Sequence, residues 1–419
     1  MLLREDLDPC GLTFPEISKM PVSEVVRLLQ QSKRPLIHIG QGIRIAGAIE
    51  TFMNFVETHS IPFVTARNAN DICEWEHTHY IGRPGTFAQR GANFAVQTCD
   101  LYIAIGTSLS LTQTGYNSKD YARNAKIIQV DIDPAILEKN TVRHHLKICA
   151  DAKDFIEELN KAEGIQMLRP WLEWFTRCRE WKRRYPVCLP EYKEQKEYVN
   201  SYFFVDTLSD LATKEDIIVT DMGFAFQNTH QAWKSKQGQR LLTNCGLAPM
   251  GWGLPAAIGS SFATGRRTLL ITGEGGLMMN LQELATVMHH KLNIKIFVLN
   301  NGGYLTIKQT QQLGFEGRLM GVDKESGLSF PDFRKIADAF GIRKSIIKSH
   351  EFIQHQLYFN TFNDDKPHIY EIMMSPDQPQ APRSLNRRLP DGTMNPTKLE
   401  DSYPFLDPKI IEEEMKIVN

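Results

Sequence analysis

The chain has 419 residues, enough for two or three domains each with its own core, and its 42% hydrophobic and 23% charged content is that of an ordinary globular protein. A net charge of −1 leaves no basic field for nucleic acid and no polybasic patch for a membrane surface. The seven cysteines are scattered, odd in number and without a Cys-x-x-Cys pair, which predicts reduced thiols and a cytoplasmic setting; no apolar run reaches membrane-spanning length.

In chain order, a lead (1–20) is followed from Pro21 by a helix over Glu24–Gln31 with Ser23 as its N-cap. Pro35-Leu-Ile-His-Ile-Gly40 reads as a buried strand that turns through Gly40-Gln41-Gly42 into a helix over Ala46–His59. Further strands are expected at Ile61–Thr65, Leu101–Gly106 and Ala125–Asp131, with helical stretches between them. Alternation of this kind predicts a doubly wound parallel sheet over 21–160. A charged connector (161–197) carries a helix, Trp171–Arg184, whose stripe of Trp171, Trp174 and Phe175 is expected to pack between domains. A second α/β domain spans 198–375, and a Pro-rich tail, 376–419, ends in the acidic run Glu412–Glu414. The fold class is therefore α/β, with two doubly wound parallel-sheet domains joined by a helical linker.

The second domain holds the most informative stretch. Arg267–Thr272 is a buried strand running into Gly273-Glu274-Gly275-Gly276; Leu281, Leu284, Ala285 and Met288 then recur at helical spacing, and a second strand, Ile294–Leu299, ends at Asn300-Asn301, which begins 24 residues after Gly276. A βαβ unit makes the two strands parallel, so Glu274 and Asn301 emerge together at the carboxyl ends of the sheet, where open α/β folds bind ligands. A carboxylate, an amide oxygen and nearby carbonyls form a hard-oxygen set suited to Mg²⁺ or Ca²⁺. The glycines let backbone N–H groups approach a phosphate.

This segment resembles the thiamin-diphosphate signature, Gly-Asp-Gly followed by Asn-Asn, with Glu274 in the place of the family Asp. Gly246-Leu-Ala-Pro-Met-Gly-Trp-Gly-Leu-Pro-Ala-Ala-Ile-Gly259 and Asn300-Asn-Gly-Gly-Tyr-Leu-Thr-Ile-Lys-Gln-Thr-Gln311 resemble two further blocks of acetolactate synthase-like enzymes, in the same order. Gly91-Ala-Asn-Phe-Ala-Val-Gln97 and the strand after it resemble their central domain. The resemblance implies that Glu274, Asn301 and the backbone of Gly303 hold Mg²⁺. It implies that Gly223, Gly246, Gly273, Gly275, Gly276, Asn301 and Tyr304 meet thiamin diphosphate, and that Met250 props the cofactor in a bent conformation.

It further implies carboligation or decarboxylation of a 2-oxo acid, most simply pyruvate, by a homo-oligomer or with a partner chain. Relatives carry an N-terminal domain whose glutamate activates the cofactor. The resemblance covers only the central domain onward, so that domain is expected to be missing here and no catalytic residue is assigned within the chain. Alternatives are a non-catalytic, partner-dependent cofactor-binding subunit or truncated remnant, and a ligase acting on a sugar-nucleotide ketone. Thr310 stands where a Trp selects the second keto acid in relatives, and Thr306 replaces a Met, which predicts a more polar acceptor wall. Without the missing domain, Met250, Trp252 and Leu305 are expected to form an exposed apolar patch.

Other clusters are weaker. Cys73-Glu74-Trp75-Glu76-His77-Thr78-His79 holds metal-capable side chains, but no second cluster completes a zinc set and a polar surface loop is expected; His144-His145 and His289-His290 are expected at the surface or partly buried. Gly40-Gln41-Gly42 is half a dinucleotide fingerprint, which leaves FAD possible in the first domain.

Overall fold

A computed structural model describes residues 20–166, 168–357, 362–388 and 393–416. The chain divides into two compact units, the first built from 1–69, 78–185 and 384–419, the second from 70–77 and 186–383.

The first unit holds six strands: β1 (Pro35–Ile39), β2 (Phe63–Thr65), β3 (Tyr80–Gly82), β4 (Leu101–Ile105), β5 (Lys126–Asp131) and β6 (His144–Cys149). They lie in the order β3-β2-β1-β4-β5-β6, and every neighbouring pair is parallel. β1 and β4 are buried at every position, as their unbroken apolar runs require of a sheet covered on both faces. The edge strand β6 has its first four residues alternating half-buried and exposed, which is why His144-His-Leu-Lys147 does not read as a strand beside its neighbours. The first helix begins two residues ahead of expectation, at Val22 with Pro21 before it, so Ser23 does not cap it. The helix expected over Ala46–His59 begins at Ile49, and a separate short helix, Gly42–Ile45, precedes it.

One expectation of organisation is corrected. The helix Arg169–Arg184 is part of the first unit and not packing between domains: Trp174, Cys178 and Trp181 belong to that unit's core, and the indole N–H groups of Trp171 and Trp174 donate to the carbonyls of Ser32 and Pro35 at 2.8 Å each. Large rings with one polar atom are buried where that atom finds an acceptor. The helix crosses Arg90–Thr98 so closely that a Cβ on Gly91 would lie 2.8 Å from the Trp181 backbone. The last helix of the tail is anchored on the same unit. This helix, Pro408–Met415, brings Glu414, 6% exposed, to accept hydrogen bonds from Trp181 Nε1, Arg184 Nη1 and Tyr185 Oη at 2.7–2.8 Å. Ile411 and Met415 pack against the same core.

The second unit holds β7 (Ile217–Thr220), β8 (Arg240–Leu242), β9 (Thr268–Gly273), β10 (Ile294–Asn300), β11 (Arg343–Ile347) and β12 (His368–Met373), all parallel, in the order β11-β12-β10-β9-β7-β8. The crossover from β9 to β10 is not one helix. It is a short helix Glu274–Met278, a 3₁₀ turn Leu281–Glu283 and a helix Leu284–His289. The segment 70–77 belongs to this unit and is no free surface loop: Asp71 accepts from Arg240 Nε at 2.9 Å and the Trp75 amide donates to the Ser235 carbonyl at 2.7 Å. Among the described residues no set of three His, Cys, Asp or Glu side chains is placed to hold a metal, the six described cysteines form no disulfide, and no helix is long and apolar enough to cross a membrane.

Candidate functional site

The strand order of the second unit changes direction at β7 and β9, and the site forms at their carboxyl ends. Registering Gly273 against Leu299 puts Glu274 and Asn301 each one residue past the ends of adjacent strands. Between them lies a cavity of about 250 Å³, lined by Gly223, Met250, Gly273, Glu274, Gly275, Gly276, Asn301, Gly303 and Tyr304, with Leu305, Thr306 and Ile307 of the helix Leu305–Gly314. Nine of the ten residues singled out from sequence thus line one space. The tenth, Gly246, does not line it and is exposed.

Glu274 is 1% exposed, and its Oε1 accepts the backbone N–H groups of Asn301 at 2.9 Å and Gly302 at 2.7 Å. The extra methylene of Glu over Asp lets the carboxylate cap the turn after β10. Burial outweighs these bonds and pushes its carboxyl up to about 7. The Asn301 side chain lines the cavity and has no hydrogen-bond partner among the described residues, whereas Asn300 is spent on structure: its Nδ2 donates to Glu371 at 2.7 Å and its Oδ1 accepts from the Gly302 amide at 3.1 Å.

The glycines are required by what lies against them. A Cβ on Gly275 would lie 2.2 Å from the Tyr304 ring, and one on Gly276 would lie 2.6 Å from the Asp221 carboxylate. Gly223 adopts φ +73°, a conformation open to glycine. Tyr304 is fixed from behind, its amide donating to the Val322 carbonyl at 2.8 Å and its ring packing edge-on to Phe330.

Asp221, at the end of β7, organises this end of the sheet and was not singled out from sequence. It accepts from the amides of Met222 at 2.7 Å, Gly251 at 2.9 Å and Gly253 at 3.4 Å, and from Thr272 Oγ1 at 3.2 Å. The available signal was an Asp directly after an apolar strand and two residues before a glycine. Its bonds to Gly251 and Gly253 fix the 250s turn and so hold Met250, 41% exposed, at the cavity.

Two expectations about the walls fail. Thr310 is exposed, its hydroxyl donating to the Thr306 carbonyl at 3.0 Å in the same helix; of the two threonines only Thr306 lines the cavity. Leu305 is 3% exposed, packed in the core, and Trp252 is half-buried, so the proposed patch reduces to Met250; the exposed apolar residues near it in sequence or on the cavity wall are Leu247 and Ile307.

The arrangement fits a divalent cation and a diphosphate. It offers a buried carboxylate, an unengaged amide side chain and a carbonyl-bearing turn for the first, and side-chain-free backbone at Gly223, Gly275 and Gly276 for the second. In the first unit the corresponding glycines are used otherwise. A Cβ on Gly40 would lie 2.0 Å from the Gly106 carbonyl oxygen, so this half-fingerprint serves close backbone packing.

Comparison with known proteins agrees with the site. Residues 22–159 match the thiamine pyrophosphate enzyme central domain, and 221–368 match the thiamine pyrophosphate enzyme C-terminal TPP binding domain. The acetolactate synthase large subunit of Cyanidium caldarium is 33% identical over 335 residues, covering 77% of this chain and 54% of its own length. The probable acetolactate synthase large subunit of Methanocaldococcus jannaschii is 30% identical over 364 residues (85% and 60%), and the acetolactate synthase isozyme 2 large subunit of Escherichia coli K12 is 29% identical over 378 residues (88% and 65%). The chain therefore spans just over half to about two thirds of the length of these relatives.

Proposed function

Because the chain belongs to the thiamine pyrophosphate enzymes, carrying their central and TPP-binding domains, we propose that it binds thiamin diphosphate with Mg²⁺ in the β7–β9–β10 cavity and serves carboligation or decarboxylation of a 2-oxo acid, pyruvate being the simplest, in an oligomer of cytoplasmic setting. The observation that carries this is the convergence of Glu274, Asn301 and Gly303 with the glycine cradle on one space.

Glu274, Asn301 and the Gly303 carbonyl would hold the cation; the backbone of Gly223, Gly275 and Gly276 would meet the diphosphate, with Tyr304 closing one side and Met250 supporting the rings. Bound there, the cofactor supplies stabilisation of negative charge at the keto carbon of the substrate. The protein's contribution is to fix position: Asp221 braces the 250s turn and the turn after β7, and Glu274 braces the turn after β10. Gly40, Gly42 and Gly106 pack against one another and give no independent support for FAD.

Calorimetric titration of the chain with thiamin diphosphate, with and without Mg²⁺, tests this. Saturable, Mg²⁺-dependent binding at one site per chain is expected, and no binding under either condition would overturn it.

A further inference from the structure

The cavity has one hydroxyl whose direction is fixed by a chain of side chains behind it. Gln380, 1% exposed, accepts from Arg383 Nη1 on its Oε1 at 2.9 Å. A guanidinium can only donate, so the amide oxygen must face Arg383 and the amide nitrogen must face the other way. That Nε2 donates to Gln227 Oε1 at 2.6 Å and to Thr306 Oγ1 at 3.1 Å, using both its hydrogens. Thr306 Oγ1 therefore accepts from Gln380, and its own proton has no acceptor among the described residues. Thr306 lines the cavity, and Oγ1 sits 3.8 Å from where a Cβ on Gly223 would be, beside the backbone assigned to the diphosphate.

We infer that the Thr306 hydroxyl donates a hydrogen bond to an oxygen of the bound diphosphate, and that Gln380, held by Arg383, is the positioning residue that keeps it a donor. This rests on the proposed function and adds a residue to it. A hydroxyl already accepting a hydrogen bond is a better donor, and an anionic phosphate oxygen is the strongest acceptor such a cavity receives. Arg383 reaches the anion only through the two intervening side chains, which orient the hydroxyl without placing a second full charge at the site.

The test is calorimetry of the full chain with Mg²⁺ and either thiamin diphosphate or inorganic diphosphate. Thr306→Val, which keeps shape and removes the hydroxyl, should weaken both ligands about 10- to 100-fold, the weight of one hydrogen bond to a charged acceptor. Thr306→Ser should stay within about threefold of the unaltered chain, since the hydroxyl is kept. Gln380→Glu turns the donor to Thr306 into an acceptor, so the hydroxyl points backward. It should weaken binding alone but add little on top of Thr306→Val, a coupling that charge repulsion or a loosened fold would not give. Undiminished binding by Thr306→Val, equal losses in Val and Ser variants, a loss confined to thiamin diphosphate, or full additivity of the double variant would each overturn the inference. If the unaltered chain binds neither ligand, the proposed function falls and takes this inference with it; normal binding by the unaltered chain with no effect of Thr306→Val sinks this inference alone.

Discussion

The two units build the same kind of sheet and fill its active end differently. Each has six parallel strands; the order of the first changes direction at β1 and β4, and that of the second at β7 and β9 and again at its edge, where β12 lies between β10 and β11. At such a point the loops diverge and leave a crevice. In the first unit the glycines at this point pack against one another. The Gly42 amide donates to the Gly106 carbonyl at 3.1 Å, and below lies a buried polar chain in which Tyr102 Oη links His38 to Tyr121 while Gln113 Nε2 meets His38 Nε2 at 3.3 Å. Burial pushes His38 down to about 3, so the ring is neutral and serves as an uncharged hydrogen-bonding member of the core. In the second unit the glycines line a cavity, flanked by a buried carboxylate and an unengaged amide. The topology supplies a place for a ligand; the residues just past the strands decide whether the place is used.

The comparison breaks most sharply on the acidic residue. Glu274→Ala and Asn301→Ala should each weaken Mg²⁺-dependent thiamin diphosphate binding by more than about 100-fold in calorimetry, because a lost cation ligand has no substitute in the cavity. No single substitution around His38 should do so. Unchanged affinity in both variants would remove the site from this end of the sheet.

Glycines in the two crevices should fail in different measurements. Gly40→Ala drives a methyl onto the Gly106 carbonyl, and backbone cannot yield as a side chain can, so a loss of about 3 kcal/mol in stability is expected with cofactor affinity of the folded protein kept. Gly275→Ala meets a side chain, the Tyr304 ring, rather than backbone; pushing that ring toward the cavity should lower binding with a smaller loss of stability than Gly40→Ala. Thermal unfolding and calorimetry on both variants decide it, and the reverse pattern would contradict the contrast drawn here.

How far this contrast could be read from sequence depends on the range of the interactions. Central strands were legible because burial on both faces demands unbroken apolar runs such as Leu101-Tyr-Ile-Ala-Ile105. Glu274 and Asn301 were legible because one crossover connects them. Edge strands were not: β3 has three residues and β6 alternates over its first half like a surface segment. The places of the Trp-bearing helix and of the tail depend on partners such as Trp181 and Glu414, which lie 233 positions apart. The support of Thr306 by Gln380 spans 74 positions. Nothing local in sequence marks such pairs, and Trp181, Glu414 and Gln380 belong to segments whose composition suggests linker or tail.

Titration sharpens the difference between the two buried groups. Glu274 is raised from 4.5 to about 7, so the folded chain holds its proton more tightly than the unfolded chain does. Its contribution to stability is fully present below about pH 4.5 and is lost as pH rises through 7. Glu274→Gln should therefore be more stable than the unaltered cofactor-free protein at pH 8, by up to about 3 kcal/mol, with the gap closing toward pH 4. The cation needs the ionised carboxylate, so Mg²⁺ affinity should climb as pH rises toward 7 and level off above it. Urea unfolding across this range checks the first, and calorimetry the second; a stability gap that widens toward acid would refute the assignment.

The smallest effect is expected at Thr310, and its smallness is informative. The resemblance to acetolactate synthase-like enzymes places this position on the acceptor wall, but here its hydroxyl donates to the carbonyl one turn back and the residue is exposed, outside the cavity lining. Such back-bonding in a helix contributes little and slightly disfavours it. Thr310→Val should change stability by no more than about 0.5 kcal/mol and leave diphosphate and cofactor affinity as they were. If it weakened binding as Thr306→Val is expected to, the helix Leu305–Gly314 would have to turn by about 100° per residue of shift to bring position 310 inward. The wall would then be built from the exposed face, with Ile307 and Leu313 repositioned, and the contrast between the two crevices would rest on a different set of side chains.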